Sequence, residues 1–283
     1  MARSTERARR ADLRKWLRVG LPAAWLALVV CAALAANLLP LRPPAAMDFA
    51  AATQGPSIAH PLGADLDGRD ILSRLVHGGR VSLTVGLVAP TIGLVFGTLL
   101  GLLAAFYGGL LRTTILGVVD AMLAFPALVF ALGLTSLLGP SLRNVTLALG
   151  ILAIPAFARI ARANALPLLE REFVLAARAA GASNLYIILR EILPNMVMAL
   201  ITYALTIVAI MIVAESALSF LGVGVPPPMS SWGGMIADGR EALERAPHIS
   251  LIPAAAMFLT VLSLNLLGDS LRQGAEVKEG ALS

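Results

Sequence analysis

Three aspartates near residue 65 have the spacing that comes closest to metal-binding chemistry in this chain. Asp65, Asp67 and Asp70, with Gly68 between them, resemble the start of a calcium-binding loop. The glycine is displaced from the position that such a loop requires, and Val76 stands where the twelfth-position glutamate would be. We therefore expect no metal to bind here.

Neither the histidines nor the lysines form a recognisable active site. His60, His77 and His248 are far apart in sequence and lack an H-E-x-x-H motif or a cysteine cluster to complete a zinc site, so we interpret each as an ordinary loop residue. The only lysines, Lys15 and Lys278, do not follow the glycines of a G-x-x-x-x-G-K-[ST] loop. The sequence therefore predicts that this chain is not an enzyme and binds no cofactor or ATP of its own.

Two carboxylates, Asp120 and Glu215, lie inside long apolar stretches. A charged group in hydrocarbon is costly unless it is paired or faces water, so both residues are candidate functional groups. We favour interhelical hydrogen bonds for both, with the lining of a pathway or gate as the alternative and a proton relay as a third. A membrane-embedded enzyme that uses either carboxylate is a rival class, but no arrangement of nucleophile and base is visible.

The elements that position these groups are apolar: 58% of the residues are hydrophobic and only 14% are charged. A bilayer core about 30 Å thick requires roughly 20 apolar residues for each helical crossing. Six stretches satisfy this requirement: Leu17 to Leu39, Val81 to Phe106, Ile115 to Leu138, Val145 to Ala163, Met196 to Leu221 and Leu251 to Leu267. The predicted fold class is all-α, a polytopic membrane protein with six transmembrane helices.

Positive charge is distributed unevenly between the loops that these stretches define. With a cytoplasmic amino terminus, 15 of the 22 Lys and Arg residues lie on the cytoplasmic side and 7 lie outside. The positive-inside rule favours this topology, with both termini in the cytoplasm. A cleaved signal peptide ending near Ala33-Leu34-Ala35 is the competing interpretation, but the apolar run is longer than the 7 to 15 residues of a signal peptide's apolar region.

Glycine and proline residues occur inside the predicted helices. Gly93, Gly97 and Gly101 recur at four-residue spacing and give the second helix one smooth face, which favours close packing against another helix of this subunit or of a partner. Lining of a pathway is the alternative. Prolines are expected inside the second, third and fourth helices, at Pro90, Pro126 and Pro155.

The loop from residue 164 to residue 194 is rich in helix-forming residues. Gly181 suits a helix C-cap or tight turn, Ser183 suits the N-cap of a following helix, and Pro194 marks an expected break before the fifth membrane helix. We predict a short helix, a corner and a second helix. An alanine-rich helix flanked by charge suits the groove of a soluble partner, and an interfacial helix on lipid headgroups is the alternative.

The same loop carries the first part of a family resemblance. Ala176-Ala177, followed by Gly181 and then by Ile192-Leu193-Pro194, is similar to the E-A-A…G…I-x-L-P loop of ABC importer permeases. Other segments between residues 60 and 272 resemble the dipeptide, oligopeptide and nickel permease family: His60-Pro61-Leu62-Gly63-Ala64-Asp65, Gly68-Arg69-Asp70-Ile71-Leu72-Ser73-Arg74, Ala124-Phe125-Pro126, Ala214-Glu215-Ser216-Ala217-Leu218-Ser219-Phe220-Leu221-Gly222, Ser231-Trp232-Gly233 and Asn265-Leu266-Leu267-Gly268-Asp269.

This resemblance implies a type I ABC importer permease, the second of two non-identical permease subunits in a bacterial cytoplasmic membrane. The implied partners are a homologous permease, two cytoplasmic ATPase subunits that hold ATP and Mg, an extracytoplasmic substrate-binding protein and membrane lipid, without nucleic acid. The implied ATPase-coupling residues are Leu175, Ala176, Ala177, Arg178, Ala179, Ala180, Gly181, Ala182 and Ser183. Leu175 stands where the family motif has glutamate, which puts a charge contact with the ATPase in doubt.

The resemblance also suggests which residues face the extracytoplasmic binding protein and where the domains of the chain begin and end. Candidates to face the binding protein are Asp65, Arg69, Asp70 and Trp232. The expected domains are a basic cytoplasmic segment (1–19), a six-helix permease domain (20–272) that contains the 164–194 coupling loop, and a cytoplasmic tail (273–283). A short peptide is the expected substrate, nickel or another small solute is the alternative, and a proton-driven carrier is a further rival.

Overall fold

The computed structural model describes residues 16–280, apart from the side chains of residues 17, 18 and 274–280. The predicted basic segment 1–19 falls almost entirely outside these residues, and the end of the predicted tail 273–283 does so as well. Nine α-helices occur in the described part: α1 (Leu21–Leu34), α2 (Ile71–Phe106), α3 (Gly109–Ala124), α4 (Ala127–Leu138), α5 (Leu142–Leu169), α6 (Glu172–Ala179), α7 (Asn184–Phe220), α8 (Trp232–Asp238) and α9 (His248–Gly280).

The predicted all-α class is confirmed, and residues 16–280 contain no β-strand beyond one isolated bridge between Ala64 and Asp70. Four helices, α2, α5, α7 and α9, are long and apolar enough to cross a bilayer. The pair α3 and α4 is a fifth candidate, and α1 is a shorter apolar helix. The number of membrane crossings therefore stays a prediction.

The prediction of the third helix, Ile115 to Leu138, is wrong in one respect: the segment is not one continuous helix. The chain bends by 90° between α3 and α4. Phe125 has an extended backbone, and Pro126, which lacks an N–H to donate, forms the N-cap of α4 rather than an interior helical residue. Pro90 and Pro155 do lie inside α2 and α5, as predicted.

The boundaries of the fourth and fifth predicted helices also need correction. Helix α5 continues to Leu169, beyond the predicted end at Ala163, so the first six residues of the predicted 164–194 loop lie on this helix. Helix α7 begins at Asn184 and passes Pro194 without a break. A π-helical segment, Ile187–Ile192, precedes this proline and allows the chain to remain helical.

The glycine face of α2 packs against α5 within this chain. A methyl group at Gly97 would lie 2.5 Å from the carbonyl oxygen of Ile154, and one at Gly101 would lie 2.8 Å from Cβ of Ala161. Only hydrogen atoms fit at such distances, so the two backbones approach closely because these positions are glycine. This confirms the predicted helix packing and makes α2 and α5 the central pair of the bundle.

Candidate functional site

The short helix α6 and the corner after it match the predicted arrangement of the 164–194 loop. Gly181 has a φ of 80°, in the left-handed region that favours glycine. Its N–H donates to the carbonyl of Arg178, and the N–H of Ala182 donates to the carbonyl of Ala177, each at 3.0 Å. Ser183 Oγ accepts from the N–H of Tyr186 at 3.3 Å and caps α7. The corner therefore sets the orientation of α6 relative to α7.

Helix α6 is held to the bundle by few contacts. Val174 is fully buried in a cluster with Ile187 and Ile192 of α7. One turn further along the same face of α6, the Arg178 guanidinium lies 5.4 Å from the ring centroid of Phe106, the last residue of α2. Val174, the partly buried Ala177 and the cation–π contact of Arg178 thus position the helix between α2 and α7.

The outward side of α6 is apolar and exposed. We call this the alanine surface, formed by Phe173, Leu175, Ala176, Ala179 and Ala180, all of which are exposed. The Leu175 side chain is 52% exposed. A shallow depression that Tyr186 and Glu191 help to line adjoins this surface. Small side chains beside a depression suit the insertion of a partner's side chains.

Glu215 is fully buried in a hydrogen-bonded network, as we predicted for this residue. Ser219 Oγ donates to one carboxylate oxygen at 2.7 Å, and Ser82 Oγ of α2 donates to the other at 3.2 Å. Ser231 Oγ lies 3.3 Å from Ser219 Oγ, and the Trp232 N–H donates to Ser82 Oγ at 3.1 Å. The carboxylate therefore links α7 to α2 and, through the serines, to α8.

Asp120 makes the interhelical hydrogen bond that we favoured, but in this chain it is exposed, unlike Glu215. It lies on α3 at the side of the bundle, where its side chain is 61% exposed and pairs with Arg159 of α5, 58% exposed, at 2.7 Å. The contact does link two helices, but hydropathy alone cannot distinguish a helix at the edge of the bundle from one at its centre.

Three of the four residues expected to face a binding protein are instead buried in this chain: Asp65, Asp70 and Trp232. The Trp232 indole donates to the carbonyl of Leu75 at 2.9 Å and packs on Gly79. Its large apolar area is better removed from water than exposed. Arg69 pairs with Asp67 at 2.8 Å and keeps 17% of its side chain exposed.

The two aspartates belong to what we call the charged cluster, which contains Asp65, His60, Asp70, Arg74 and Asp238. Asp65 pairs with Arg74, and Arg74 also donates to Asp238 at 3.0 Å. Asp70 caps α2 by accepting from the N–H of Ser73 at 3.0 Å, and lies 3.3 Å from His60 Nδ1. The buried charges are paired, which a buried position requires.

Sequence reasoning missed most of this cluster. His60, which we interpreted as a loop residue, is buried beside Asp70 and also contacts Arg42 Nη1 at 3.2 Å. Arg74 and Asp238 are 164 positions apart, so no local pattern could connect them. The family-like segments that contain His60, Asp65 and Arg74 were the available signal.

The described residues form a bundle of bilayer-length helices with a short exposed helix between two of them, a fold that is shared with chains of solved ABC transporters. A chain of the MetNI methionine ABC transporter in an inward-facing conformation superposes with a TM-score of 0.59 at 20% identity, over 70% of this chain and 95% of that chain. A chain of an amino acid ABC transporter solved with histidines gives 0.54 at 18% identity, over 71% and 94%.

The family model described as "binding-protein-dependent transport system inner membrane component" matches residues 97–276. The chain is 38% identical to the glutathione transport system permease protein GsiD of Pectobacterium atrosepticum, over 95% of this chain and 89% of that one. It is 42% identical to a putative peptide transport system permease protein of Brucella suis, over 94% and 88%, and 42% identical to the dipeptide transport system permease protein DppC of Alkalihalophilus pseudofirmus, over 80% and 74%. The chain therefore belongs to the family of binding-protein-dependent transport system inner membrane components.

Proposed function

We propose that this chain is one permease subunit of an ATP-driven peptide importer and forms half of the translocation pathway with a second, homologous permease. Two cytoplasmic ATPase subunits would hold ATP and Mg, and an extracytoplasmic protein would deliver the substrate. The family membership and the peptide, dipeptide and glutathione permeases among the relatives support this proposal.

The observation that carries the coupling role is the alanine surface at the start of a continuous helix. Helix α7 contains 37 residues, or about 55 Å at 1.5 Å per residue. It begins one residue after the Ser183 cap and ends beside the Glu215 network. A displacement of α6 by an ATPase would therefore reach both ends of the permease through one helix, with the 164–194 loop as the coupling loop.

The topology belongs to the same proposal. Both termini and the coupling loop would be cytoplasmic, the 20–272 segment would be the six-helix permease domain, and residues 41 to 80 would lie outside. In a Cys31→Ser background, a cysteine at position 57 is expected to react with an impermeant thiol reagent in intact cells. Labelling of position 57 only after permeabilisation would contradict this topology.

Transport is tested by reconstituting the permease pair with its ATPases and binding protein in liposomes. We expect ATP-dependent accumulation of a labelled dipeptide and no ATP hydrolysis by the permease pair alone. Accumulation of nickel instead would favour the alternative substrate, and uptake driven by a proton gradient without ATPases would contradict the proposed importer.

A further inference from the structure

His60 is held between a carboxylate and a guanidinium that belong to different parts of the chain. Its Nδ1 lies 3.3 Å from Oδ1 of Asp70, the N-cap of α2, and its Nε2 lies 3.2 Å from Nη1 of Arg42, in the segment between α1 and α2. Only 3% of His60 is exposed. The ring therefore connects the segment that follows α1 to the start of α2.

The two partners of His60 determine the protonation of its ring. A guanidinium has donors and no acceptor, so Nε2 must accept in the contact with Arg42, and the carboxylate of Asp70 accepts from the N–H at Nδ1. The ring that fits both partners is thus the neutral imidazole with its proton on Nδ1. A second proton, on Nε2, would place two donors and two positive charges 3.2 Å apart. The observed contact with Arg42 requires an uncharged His60.

The partners of His60 differ in how easily they can move. Asp70 is buried and also accepts from the N–H of Ser73 at 3.0 Å, so it is fixed at the start of α2. The Arg42 side chain is 48% exposed and already lies 3.9 Å from the carboxylate of Asp48, which is equally exposed. A charged His60 would attract Asp70 and repel Arg42. Arg42 is therefore the group that leaves.

Arg42 begins an exposed segment, residues 42–50, which we call the outer strap. All of its residues except Pro44 are exposed. Ser73 Oγ donates to the carbonyl of Arg42 at 2.6 Å, and the N–H of Asp48 donates to the carbonyl of Gly68 at 3.3 Å. A segment with so little buried surface opens locally at a low free-energy cost, so we expect the release of Arg42 to loosen the strap.

The other titratable groups of this region do not have the same conflict. Three charged members of the cluster pair with one another: Asp65, Arg74 and Asp238. His77 Nδ1 donates to the carbonyl of Ser73 at 2.9 Å, and His248 Nε2, at the start of α9, donates to the carbonyl of Gln54 at 3.1 Å. A charged ring donates to a carbonyl as well as a neutral ring does, so protonation preserves both contacts.

We propose that His60 is an acid-sensitive switch: protonation of its Nε2 releases Arg42 and opens the outer strap. Histidine is the side chain that ordinarily changes charge between about pH 5 and pH 8. The contact needs the neutral ring, so the stability that it gives the strap is present at high pH and is lost as the pH falls. A response to the pH outside the cell rests on the proposed topology, in which the strap lies outside.

The experiment measures hydrogen–deuterium exchange of the strap in the permease and ATPase complex, in nanodiscs. Intrinsic exchange depends on pH, so the wild type is compared at each pH with His60→Gln, whose amide can accept from Arg42 and donate to Asp70 but cannot become charged. We expect equal exchange of the two proteins at about pH 8. At about pH 5 the strap should exchange about tenfold faster in the wild type, which corresponds to about 1.4 kcal/mol.

Two further variants assign the response to the Arg42–His60 contact. Arg42→Met removes the cation, so its strap should exchange faster than that of His60→Gln by the same factor at both pH values. His77→Gln is the matched control, since it removes another histidine and leaves the contact intact. It should keep the full response of the wild type.

Two results would overturn the switch: the same ratio of wild-type to His60→Gln exchange at both pH values, or a wild-type response that survives in Arg42→Met. If His60→Gln itself opened the strap at high pH, the wild type is compared with Arg42→Met instead. The switch then predicts that these two proteins differ at high pH and agree at low pH, and equal exchange at high pH would contradict it.

The uptake assay separates the switch from the proposed function. ATP-dependent uptake of dipeptide by a complex whose strap stays closed in acid would remove the switch and leave the importer. Opening of the strap in acid by a complex that does not import dipeptide would remove the importer and leave the switch.

Discussion

The two ends of the bundle are stabilised in opposite ways. At the α8 end, most of the charged cluster and the Glu215 network are buried, and they find their partners within this chain: Asp65 pairs with Arg74, and Glu215 accepts from two serine hydroxyls. At the α6 end, a single short helix is positioned by Val174, Arg178 and the Gly181 corner, and it leaves the apolar alanine surface exposed. The first region is complete in one subunit, whereas the second exposes apolar area that another protein can bury.

The comparison predicts that changes at the α8 end reduce the stability of the subunit, while changes at the α6 end reduce attachment of a partner. The effects below are ordered from the largest to the smallest.

Arg74→Leu is expected to have the largest effect, because it leaves the buried Asp65 carboxylate without its cation. Breaking one partner of a buried pair costs about 3–5 kcal/mol. We expect a large fall in the melting temperature of the purified complex or loss of the subunit from the membrane. Arg69→Leu is the matched control, since the partly exposed Arg69–Asp67 pair is worth less than about 1 kcal/mol. Equal effects of the two substitutions would contradict the assigned role of the charged cluster.

Gly181→Val is expected to act on attachment rather than on membrane insertion. A β-branched residue at a φ of 80° is strained by roughly 1–2 kcal/mol, and no atom lies within 4 Å of the added Cβ to cause a clash. The strain should redirect α6, so co-purified ATPase should fall or hydrolysis should proceed without uptake. Gly181→Asn is the control, because asparagine tolerates the left-handed region. Normal attachment, hydrolysis and uptake with Gly181→Val would remove the corner from the mechanism.

Glu215→Gln and Asp120→Asn are expected to have small effects. The glutamine oxygen can accept from one of the two serines, Ser82 or Ser219, and its NH2 group can donate to the hydroxyl oxygen of the other. The Asp120–Arg159 pair is exposed in the chain. Uptake driven by ATP should remain substantial and should not depend on a proton gradient. If either variant assembled normally but lost uptake together with a measured proton flux, the carboxylate would belong to a proton path.

Leu175→Glu is expected to have the smallest effect, because Leu175 is half exposed and its replacement needs no repacking. The substitution restores the glutamate of the family motif. ATPase co-purification should be unchanged, or should increase if the ATPase has a basic group opposite this position. A clear loss of attachment would show that the exposed leucine itself is required.

Local patterns predicted the α6 end better than the α8 end. Gly181 and Ser183 act through their own backbone geometry, which the chemistry of each residue determines, so the corner could be inferred from adjacent positions. The charged cluster depends on Arg74 meeting Asp238 across 164 positions, and the apolar pattern could not show whether Asp65 or Trp232 faces water or protein. The 90° bend at Pro126 was missed because proline is tolerated inside α2 and α5 of the same chain.

The most direct test of the account asks what covers the alanine surface. Ala176→Cys, on that surface, and Ser57→Cys, on the proposed outer segment, are prepared separately in the Cys31→Ser background and labelled in detergent with and without the ATPase subunits. The account predicts that the ATPases strongly slow labelling of Ala176→Cys and leave labelling of Ser57→Cys unchanged. Equal labelling of Ala176→Cys with and without bound ATPases would contradict the central claim that the alanine surface is where the permease couples to ATP hydrolysis.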